Sequence, residues 1–311
     1  MKITKDMLAR ETLEVSRKGH TVKINIMPRL GANLCSFAVD GKELIYWSDD
    51  DLLKAGDMRG CFHMFPTPCR VPDGKCTFQG KTYVQTKHGE PVIIHGLLRD
   101  ETLEVKKGSQ KLSCSIVVTK DHPIYEGYPF PCKFTIDYRI IERGLEIGFQ
   151  YQNIGATDAP FGYGLHPFWK VAGARKDTAI CVPCEYIMEL ANLIPTGAIS
   201  KVAGTKLDFR KPTSLEGVDV DNVFWKRDKR KRALVEYRAD DRKLSIDASA
   251  VFNHMIAYAP AGQPFVCLEH LTCSPNHINV YKGLKDDVSG LIVAPPKGRV
   301  EGWVRYVLAD L

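Results

Sequence analysis

The sequence predicts an all-β fold, a large antiparallel β-sandwich that forms a single domain over residues 1–311. Many short segments alternate apolar and polar residues with a period of two, and turn dipeptides join several of them. Helical patterns are few and short. No stretch alternates strands with helices, so a parallel sheet built from βαβ units is not expected.

The predicted elements follow these patterns along the chain. Residues 20–27 alternate strictly, and the dipeptide Asp40-Gly41 joins residues 34–39 to residues 42–47 in a predicted hairpin. Residues 48–55 predict one short helix with Ser48 as its N-cap. Further strands are predicted at residues 76–78, 81–84, 112–119, 134–141, 145–151, 233–237, 243–248, 254–258, 265–271 and 299–307.

Charge and hydropathy exclude some classes of partner. The formal net charge of +6 is modest for 311 residues and does not indicate a nucleic-acid partner. No apolar run is long enough to cross a bilayer, and the charged N-terminal segment does not resemble a signal peptide. We therefore expect a cytoplasmic protein that does not contact membranes. We also expect it to be a monomer or a homodimer. The basic run at residues 226–232 lies between apolar segments, which favours a solvated hairpin tip over an anion-binding patch.

The ten cysteines are interpreted as reduced thiols, as expected in the cytosol. Cys181 and Cys184 have CxxC spacing, but a zinc site would need two more ligands and the sequence has no second pair. We expect these two thiols to be buried and unpaired, with no metal in the protein.

The first candidate functional residue is His166, in the segment FGYGLHPFWK at residues 161–170. An imidazole can give or take a proton near neutral pH, which makes His166 a candidate general acid or base. A half-buried histidine with a backbone partner is the alternative. Gly162 and Gly164 are expected to free the backbone here. The aromatic residues of the segment are expected to form apolar walls around the imidazole: Phe161, Tyr163, Phe168 and Trp169.

Four other polar residues lie beside glycine, proline or aromatic residues. Arg70 lies between prolines, His95 precedes Gly96, and Asp221 lies just ahead of an aromatic residue. Each of these could have a purely structural role. Glu269 is more informative because it lies in the apolar segment FVCLEHL, where a carboxylate is costly to bury unless it is paired or functional.

Six segments, in order along the chain, resemble the aldose 1-epimerase, or galactose mutarotase, family. They are GANLCSFAVDGKELIY, FPTPCRVPDGKCTFQGKTY, IIHGL, YGLHPFW, VDVDNVF and VCLEHLTCSP. The resemblance implies a galactose mutarotase-like β-sandwich with few short helices and a sugar-binding groove on one sheet. It also implies that the partner is a small sugar and that catalysis needs no cofactor.

The resemblance implies a role for each candidate residue. His166 matches the general acid and Glu269 the general base, whereas Arg70, His95 and Asp221 match sugar-binding positions. Mutarotation requires one group that takes a proton from the anomeric hydroxyl and another that gives one to the ring oxygen. We expect His166 and Glu269 to face each other across the sugar ring.

Three departures from the family pattern bear on substrate choice. His270 follows the glutamate where proline is common, Cys69 replaces an asparagine, and Cys61 replaces a second glycine after Arg59-Gly60. Arg59 is similar to a residue of the related hexose-6-phosphate 1-epimerases, in which arginines hold a phosphate.

Three alternatives to a free-hexose epimerase therefore remain. The first is a hexose-6-phosphate 1-epimerase in which Arg59, Arg70 and Arg99 converge on the phosphate. The second is a glycoside hydrolase that uses Asp221 and Glu269 as its carboxylate pair. The third is a sugar-binding protein without turnover.

Overall fold

The computed structural model describes residues 3–281 and 288–311. The strands of the first half are β1 (Glu11–Arg17), β2 (His20–Met27), β3 (Asn33–Val39), β4 (Lys42–Glu43), β5 (Cys61–Met64), β6 (Lys75–Phe78), β7 (Lys81–Val84), β8 (Thr86–Lys87), β9 (Glu90–Pro91), β10 (Glu104–Lys107), β11 (Lys111–Val118), β12 (Cys132–Ile141) and β13 (Gly144–Asn153).

The strands of the second half complete the sheets. They are β14 (Ala159–Phe161), β15 (Gly164–Pro167), β16 (Trp169–Lys170), β17 (Thr178–Cys181), β18 (Cys184–Ala191), β19 (Ile194–Lys201), β20 (Thr213–Ser214), β21 (Val220–Arg227), β22 (Ala233–Tyr237), β23 (Arg242–Ala248), β24 (His254–Ala259), β25 (Phe265–Leu271), β26 (Ile292–Ala294) and β27 (Arg299–Asp310).

Two large antiparallel sheets dominate the described residues, which confirms the predicted all-β class. The larger sheet has twelve strands in the order β1-β2-β3-β5-β15-β25-β24-β21-β18-β19, with β4 beside β3 and β16 beside β25. The smaller sheet has nine, in the order β10-β11-β12-β13-β27-β23-β22-β17-β20. Three two-stranded sheets, β6-β7, β8-β9 and β14-β26, lie outside both.

Helices are short. They are α1 (Asp49–Ala55), α2 (Ile124–Gly127) and α3 (His277–Val280), and single 3₁₀ turns lie at Lys5–Leu8, Pro72–Gly74, Arg175–Asp177 and Arg238–Asp240. The predicted cap of α1 is confirmed, because the Ser48 side chain accepts a hydrogen bond from the backbone N–H of Asp51. None of the helices in the described ranges is long and apolar enough to span a membrane.

The main hydrophobic core lies between the two large sheets. On β25, Val266 and Leu268 belong to this core, whereas Phe265, Cys267 and Leu271 belong to a second apolar cluster. Successive side chains of a strand point to opposite faces, so the second cluster covers the face of the larger sheet that is turned away from the smaller one. All seven residues of β25 are buried because both of its faces are covered.

Two sequence-based expectations about local structure are wrong. The strand predicted at residues 42–47 ends after Glu43, because the Glu43 carboxylate accepts hydrogen bonds from the backbone N–H groups of Phe37 and Ile45. The basic run at residues 226–232 is not a hairpin tip. It links β21 in the larger sheet to β22 in the smaller one. Arg227 is buried there and donates to backbone carbonyls of Phe252, Ala248 and Ser249.

All ten cysteines are buried as free thiols. The Cys181 thiol donates to the backbone carbonyl of Arg210 at 3.4 Å, and Cys184 lies in the main core. Within the described ranges, no group of three or more His, Cys, Asp and Glu side chains could hold a metal ion.

Candidate active site

A cavity of about 540 Å³ opens on the outer face of the larger sheet. The second apolar cluster forms much of its floor. The five residues proposed from the sequence all line it, although they come from distant parts of the chain: Arg70, His95, His166, Asp221 and Glu269.

The strand register brings His166 and Glu269 together. Strand β15 pairs with β25 so that Gly164 lies opposite Leu271 and Leu165 opposite His270, and the next position places His166 beside Glu269. Neighbouring residues of adjacent strands share a face of the sheet. The Nε2 atom of His166 is 3.3 Å from Oε1 of Glu269. The two side chains therefore touch directly, and the expected gap of one sugar ring between them is absent from this structure.

The glycine at the start of β15 is needed for this contact. A Cβ atom added to Gly164 would lie 2.4 Å from Cδ2 of Leu271 and 2.9 Å from Cε of Met64. Neither Gly164 nor Gly162 has a positive φ. The expectation that these glycines free the backbone is thus wrong; they permit close approach of β15 to its neighbours.

Burial shifts both members of the pair away from their charged forms. Glu269 is only 2% exposed, and burial, reinforced by the nearby Asp221 charge, raises the pKa of its carboxyl well above its ordinary value of 4.5. Burial also lowers the pKa of His166 to about 3, with a smaller contribution from Arg99. The pair accordingly favours the state in which its single proton lies on Glu269 and His166 is neutral.

Each member of the pair also keeps one polar atom that has no hydrogen-bond partner in the part of the chain that the structure describes. These atoms are Oε2 of Glu269 and Nδ1 of His166. Buried polar atoms are normally hydrogen-bonded, so an unpartnered carboxylate oxygen in the wall of a cavity is a candidate acceptor for a ligand hydroxyl.

His95 lies in a strained part of the chain beside the pair. Its φ of 63° is unusual for a residue other than glycine, and strain of this kind is concentrated at functional sites. The following Gly96 also has a positive φ, and a Cβ atom there would lie 2.4 Å from the carbonyl oxygen of Phe65. The ring of His95 is edge-on to that of His166 at a centroid distance of 5.2 Å, and its Nδ1 is 3.0 Å from the sulfur of Met64.

Arg70 and Asp221 also line the cavity. Arg70 pairs with Ile94 in an isolated β-bridge, and Asp221, the second residue of β21, lies opposite Tyr258. Desolvation raises the pKa of the Asp221 carboxyl, and the positive charge of Arg70 opposes this shift. Because Asp221 is still exposed to solvent, its side chain is accessible to a ligand entering the cavity.

Two further arginines line the same cavity. The guanidinium of Arg59 is 2.7 Å from the carboxylate of Asp57 and lies over the ring of Phe265 at 4.6 Å. The guanidinium of Arg99 lies over the ring of Phe62 at 5.5 Å.

The aromatic walls differ from those expected. Phe168 stacks on His166 at a centroid distance of 4.7 Å, as part of the predicted apolar wall, and the ring of Phe62 packs against the imidazole at 4.6 Å in a tilted arrangement. Trp169, however, is turned into the main core, where it packs on Tyr306. Phe161 and Tyr163 also lie in the main core. Alternation along the strand explains the difference, because neighbours of a cavity-facing residue point to the other face.

Sequence reasoning missed three aromatic residues of the cavity: Phe62, Tyr258 and Phe265. For Phe265 a signal was available, since it lies four residues before Glu269 on one strand and a period of two puts both on the same face. Phe62 and Tyr258 depend on strand pairing, which the sequence does not show.

Comparison with known proteins agrees with this architecture. A model of the aldose 1-epimerase family matches residues 12–301. The chain is 23% identical to the uncharacterized protein YihR of Escherichia coli (strain K12), over 70% of each chain. It is 30% identical to galactose mutarotase of Rattus norvegicus over 47% of this chain, but that match spans only 44% of the rat protein.

Solved structures show the same fold at lower sequence identity. A galactose mutarotase-like protein from Clostridium acetobutylicum superposes with a TM-score of 0.82, at 16% identity, over 97% of this chain and 99% of that one. Galactose 1-epimerase from Lactobacillus acidophilus gives a TM-score of 0.73, at 17% identity, over 97% and 99%. Since the family match covers nearly the whole sequence, the chain belongs to the aldose 1-epimerase family.

Proposed function

We propose that this protein is an aldose 1-epimerase that interconverts the α and β anomers of a free hexose, with Glu269 as the base and His166 as the acid. The observation that carries the proposal is the direct contact of 3.3 Å between these two buried side chains in the wall of a sugar-sized cavity. One side chain can accept a proton and the other can donate one, and the pair stands where a ligand can reach both.

The chemistry needs only the single proton that the pair holds. Ionised Glu269 takes the proton of the hydroxyl on C1, the bond between C1 and the ring oxygen breaks, and protonated His166 gives its proton to that oxygen. The product is an open-chain aldehyde, and the pair now consists of a protonated Glu269 and a neutral His166. After rotation about the C1–C2 bond, ring closure on the other face of the aldehyde returns both protons.

Adjacent side chains are well placed for this reaction. The anomeric hydroxyl oxygen and the ring oxygen are both bonded to C1, so they are neighbours in the substrate. Two groups in contact can therefore serve both atoms, and no separation by the width of a ring is needed. The raised pKa of Glu269 and the lowered pKa of His166 favour the proton arrangement of the open-chain state, so the starting arrangement with ionised Glu269 and protonated His166 is the less populated of the two.

The remaining polar residues have a binding role in this proposal. Arg70, His95 and Asp221 would hold the hydroxyl groups and keep the ring oxygen directed at His166. Phe168 and Phe62, which both pack against the imidazole, would keep water away from the reacting atoms and cover apolar faces of the sugar.

The test is anomer exchange measured at equilibrium by magnetisation transfer between the α and β anomeric protons of glucose and of galactose. The native protein should accelerate exchange of at least one of them, and Glu269→Gln should lose roughly a hundredfold or more of that acceleration. Glu216→Gln makes the same change on the surface and should retain it. Failure of the native protein to accelerate exchange, or release of sugar from an aryl glycoside instead, would contradict the proposal.

A further inference from the structure

Residues 95–101 carry two side chains into the cavity, the imidazole of His95 and the guanidinium of Arg99. Between them, Leu97 and Leu98 are buried in the main core. The segment thus connects the cavity wall to the core, and any displacement of it would move both cavity-lining groups together. How the segment is held therefore bears directly on the geometry of the site.

Backbone hydrogen bonds fix the first half of this segment. His95 has a φ of 63°, a strained conformation that persists only where the surrounding structure holds it. The N–H of His95 donates to the carbonyl of Cys69 at 2.7 Å. The N–H of Leu97 donates to the carbonyl of Phe65, also at 2.7 Å. The two bonds lie on either side of Gly96 and hold the turn in place.

A buried lysine holds the second half. The side chain of Lys87 is 9% exposed, and its Nζ donates to the backbone carbonyl of Leu97 at 3.2 Å. The same Nζ is 2.6 Å from the carboxylate of Glu101 and also binds the carboxylate of Asp100. These acceptors lie on both sides of Arg99 in the sequence, so one ammonium group spans the residue that reaches into the cavity.

Lys87 belongs to a separate and well-supported part of the fold. It is on β8, which pairs with β9 outside both large sheets. Helix α2 packs closely on this hairpin, because a Cβ atom added to Gly127 would lie 2.5 Å from the backbone N and O atoms of Thr86. Lys87 is not among the described residues that line the cavity. Any influence of Lys87 on the site would therefore pass through the segment that it holds.

The chemistry of this contact suits positioning better than stabilisation. A buried ion pair is often no more stabilising than apolar residues of the same volume, and its best-attested use is to fix one arrangement of the chain. Charge-assisted hydrogen bonds are also short and geometrically specific. Three acceptors around the Nζ of Lys87 therefore define where the backbone at Leu97 and the two carboxylates beyond it lie.

We propose that Lys87 is a positioning residue, which holds residues 95–101 so that their two cavity-lining side chains keep their place beside the proton-transferring pair. The inference rests on the proposed function, in which His95 binds the sugar. The rings of His95 and His166 are in edge-on contact at a centroid distance of 5.2 Å. A displacement of about 1 Å would change this contact, and misplacements of that size can lower enzyme activity by about a hundredfold.

The experiment compares Lys87→Met, which removes the ammonium group at nearly constant length, with Lys111→Met. Lys111 is 2.9 Å from the carboxylate of Asp137 in the smaller sheet, so the control also loses a lysine–carboxylate pair. We expect the Kd for glucose or galactose, measured by calorimetric titration, to rise by about tenfold or more in Lys87→Met. It should stay at the native value in Lys111→Met. An unchanged Kd in Lys87→Met, or an equal rise in both variants, would overturn the inference.

A double variant separates positioning from a general loss of structure. Lys87→Met added to His95→Ala should raise the Kd clearly less than it does in the native protein, because the two residues serve one contact with the sugar. A full additional rise in the His95→Ala background would show a loss of structure elsewhere and would overturn the inference. Glu101→Gln keeps the shape of the cluster and removes one charge. It replaces Lys87→Met if that variant fails to fold, with a smaller expected rise in Kd of about threefold.

A measurement without ligand distinguishes failure of this inference from failure of the proposed function. The imidazole resonance of His95 in histidine-labelled protein, assigned with His95→Ala, should shift in Lys87→Met. The resonance of His20, which lies at the surface beside Asp40, should not shift. If no hexose is epimerised but the His95 resonance shifts in this way, the proposed function fails and the positioning role stands. If anomers exchange at the native rate in Lys87→Met and the His95 resonance is unchanged, the inference fails and the proposed function stands.

Discussion

Replacement of Glu269 by methionine should abolish turnover and stabilise the fold. Glu269 is 2% exposed. Among residues 3–281 and 288–311, its Oε2 has no hydrogen-bond partner and its Oε1 lies 3.3 Å from Nε2 of His166. A buried polar atom without a partner costs about 1–3 kcal/mol, whereas one hydrogen bond contributes about 1 kcal/mol. Methionine has nearly the same volume and is accepted in apolar surroundings. The net gain in stability at pH 7.5 is therefore expected to be about 0–2 kcal/mol, the difference between these two contributions.

The gain in stability of the Glu269→Met variant should increase with pH. Because burial raises the pKa of Glu269, the folded chain retains the carboxyl proton at pH values where the unfolded chain has released it. This contribution to stability is lost as the pH rises from the ordinary value of 4.5 through the folded-state pKa, by up to about 1.4 kcal/mol per pH unit. The methionine variant lacks that loss, so its advantage should be small near pH 5 and larger at pH 7.5.

The assay is urea unfolding at both pH values, together with anomer exchange. Glu269→Gln is the matched control, since it also removes the titration but keeps a polar group in the same place. Its gain in stability should be smaller than that of Glu269→Met. A methionine variant that is less stable than the native protein at pH 7.5 would refute the reasoning that the carboxylate is buried at a cost.

Three further predictions concern packing, acid stability and binding. Gly164→Ala should destabilise the protein by about 1–3 kcal/mol and lower turnover, because the added Cβ would lie 2.4 Å from the Leu271 side chain. In the control Gly148→Ala the nearest contact of the added Cβ is at 3.6 Å, so stability measured by urea unfolding should be nearly unchanged. Equal effects of the two substitutions would contradict the close-packing argument. Burial lowers the pKa of four histidines to about 3: His63, His166, His270 and His277. The unfolded chain then binds protons that the folded chain does not, so the free energy of unfolding should fall as the pH falls below 6.5, by up to about 1.4 kcal/mol per pH unit for each histidine. A free energy of unfolding that stays constant between pH 7 and pH 5 would exclude this. Arg70→Ala and Asp221→Ala should raise KM, or misplace the sugar ring in the cavity, without removing a limb of the pH–rate profile. Loss of a limb in Asp221→Ala would show that Asp221 transfers protons.

Much of the fold could be predicted because strand periodicity is a local property. The strand at Phe265–Leu271 and the cap of α1 were both predictable from residues close together in the sequence. The end of β4 at Glu43 was not, because it depends on which backbone N–H groups a side chain happens to reach. The crossover after Arg227 was likewise invisible, since nothing local shows that the next strand pairs in the other sheet.

The candidate site could likewise be predicted only in part. Glu269 could be identified from the sequence because a carboxylate in an apolar strand is costly to bury unless it is paired or functional. Its direct contact with His166 could not, because the contact depends on the register between β15 and β25. The expectation that Trp169 forms part of the cavity wall is wrong for a related reason. The composition of the segment suggests an aromatic wall, but alternation along the strand directs its members to opposite faces.

The central claim is that Glu269 and His166 act as one proton-transferring unit. The most direct test is the rate of anomer exchange in Glu269→Gln, in His166→Asn and in the double variant, on the best substrate of the native protein. Each single variant should lose roughly a hundredfold or more, and the double variant should lose clearly less than the product of the two losses, because both residues serve one transition state. Near-native turnover in Glu269→Gln, or losses that multiply fully in the double variant, would contradict the claim.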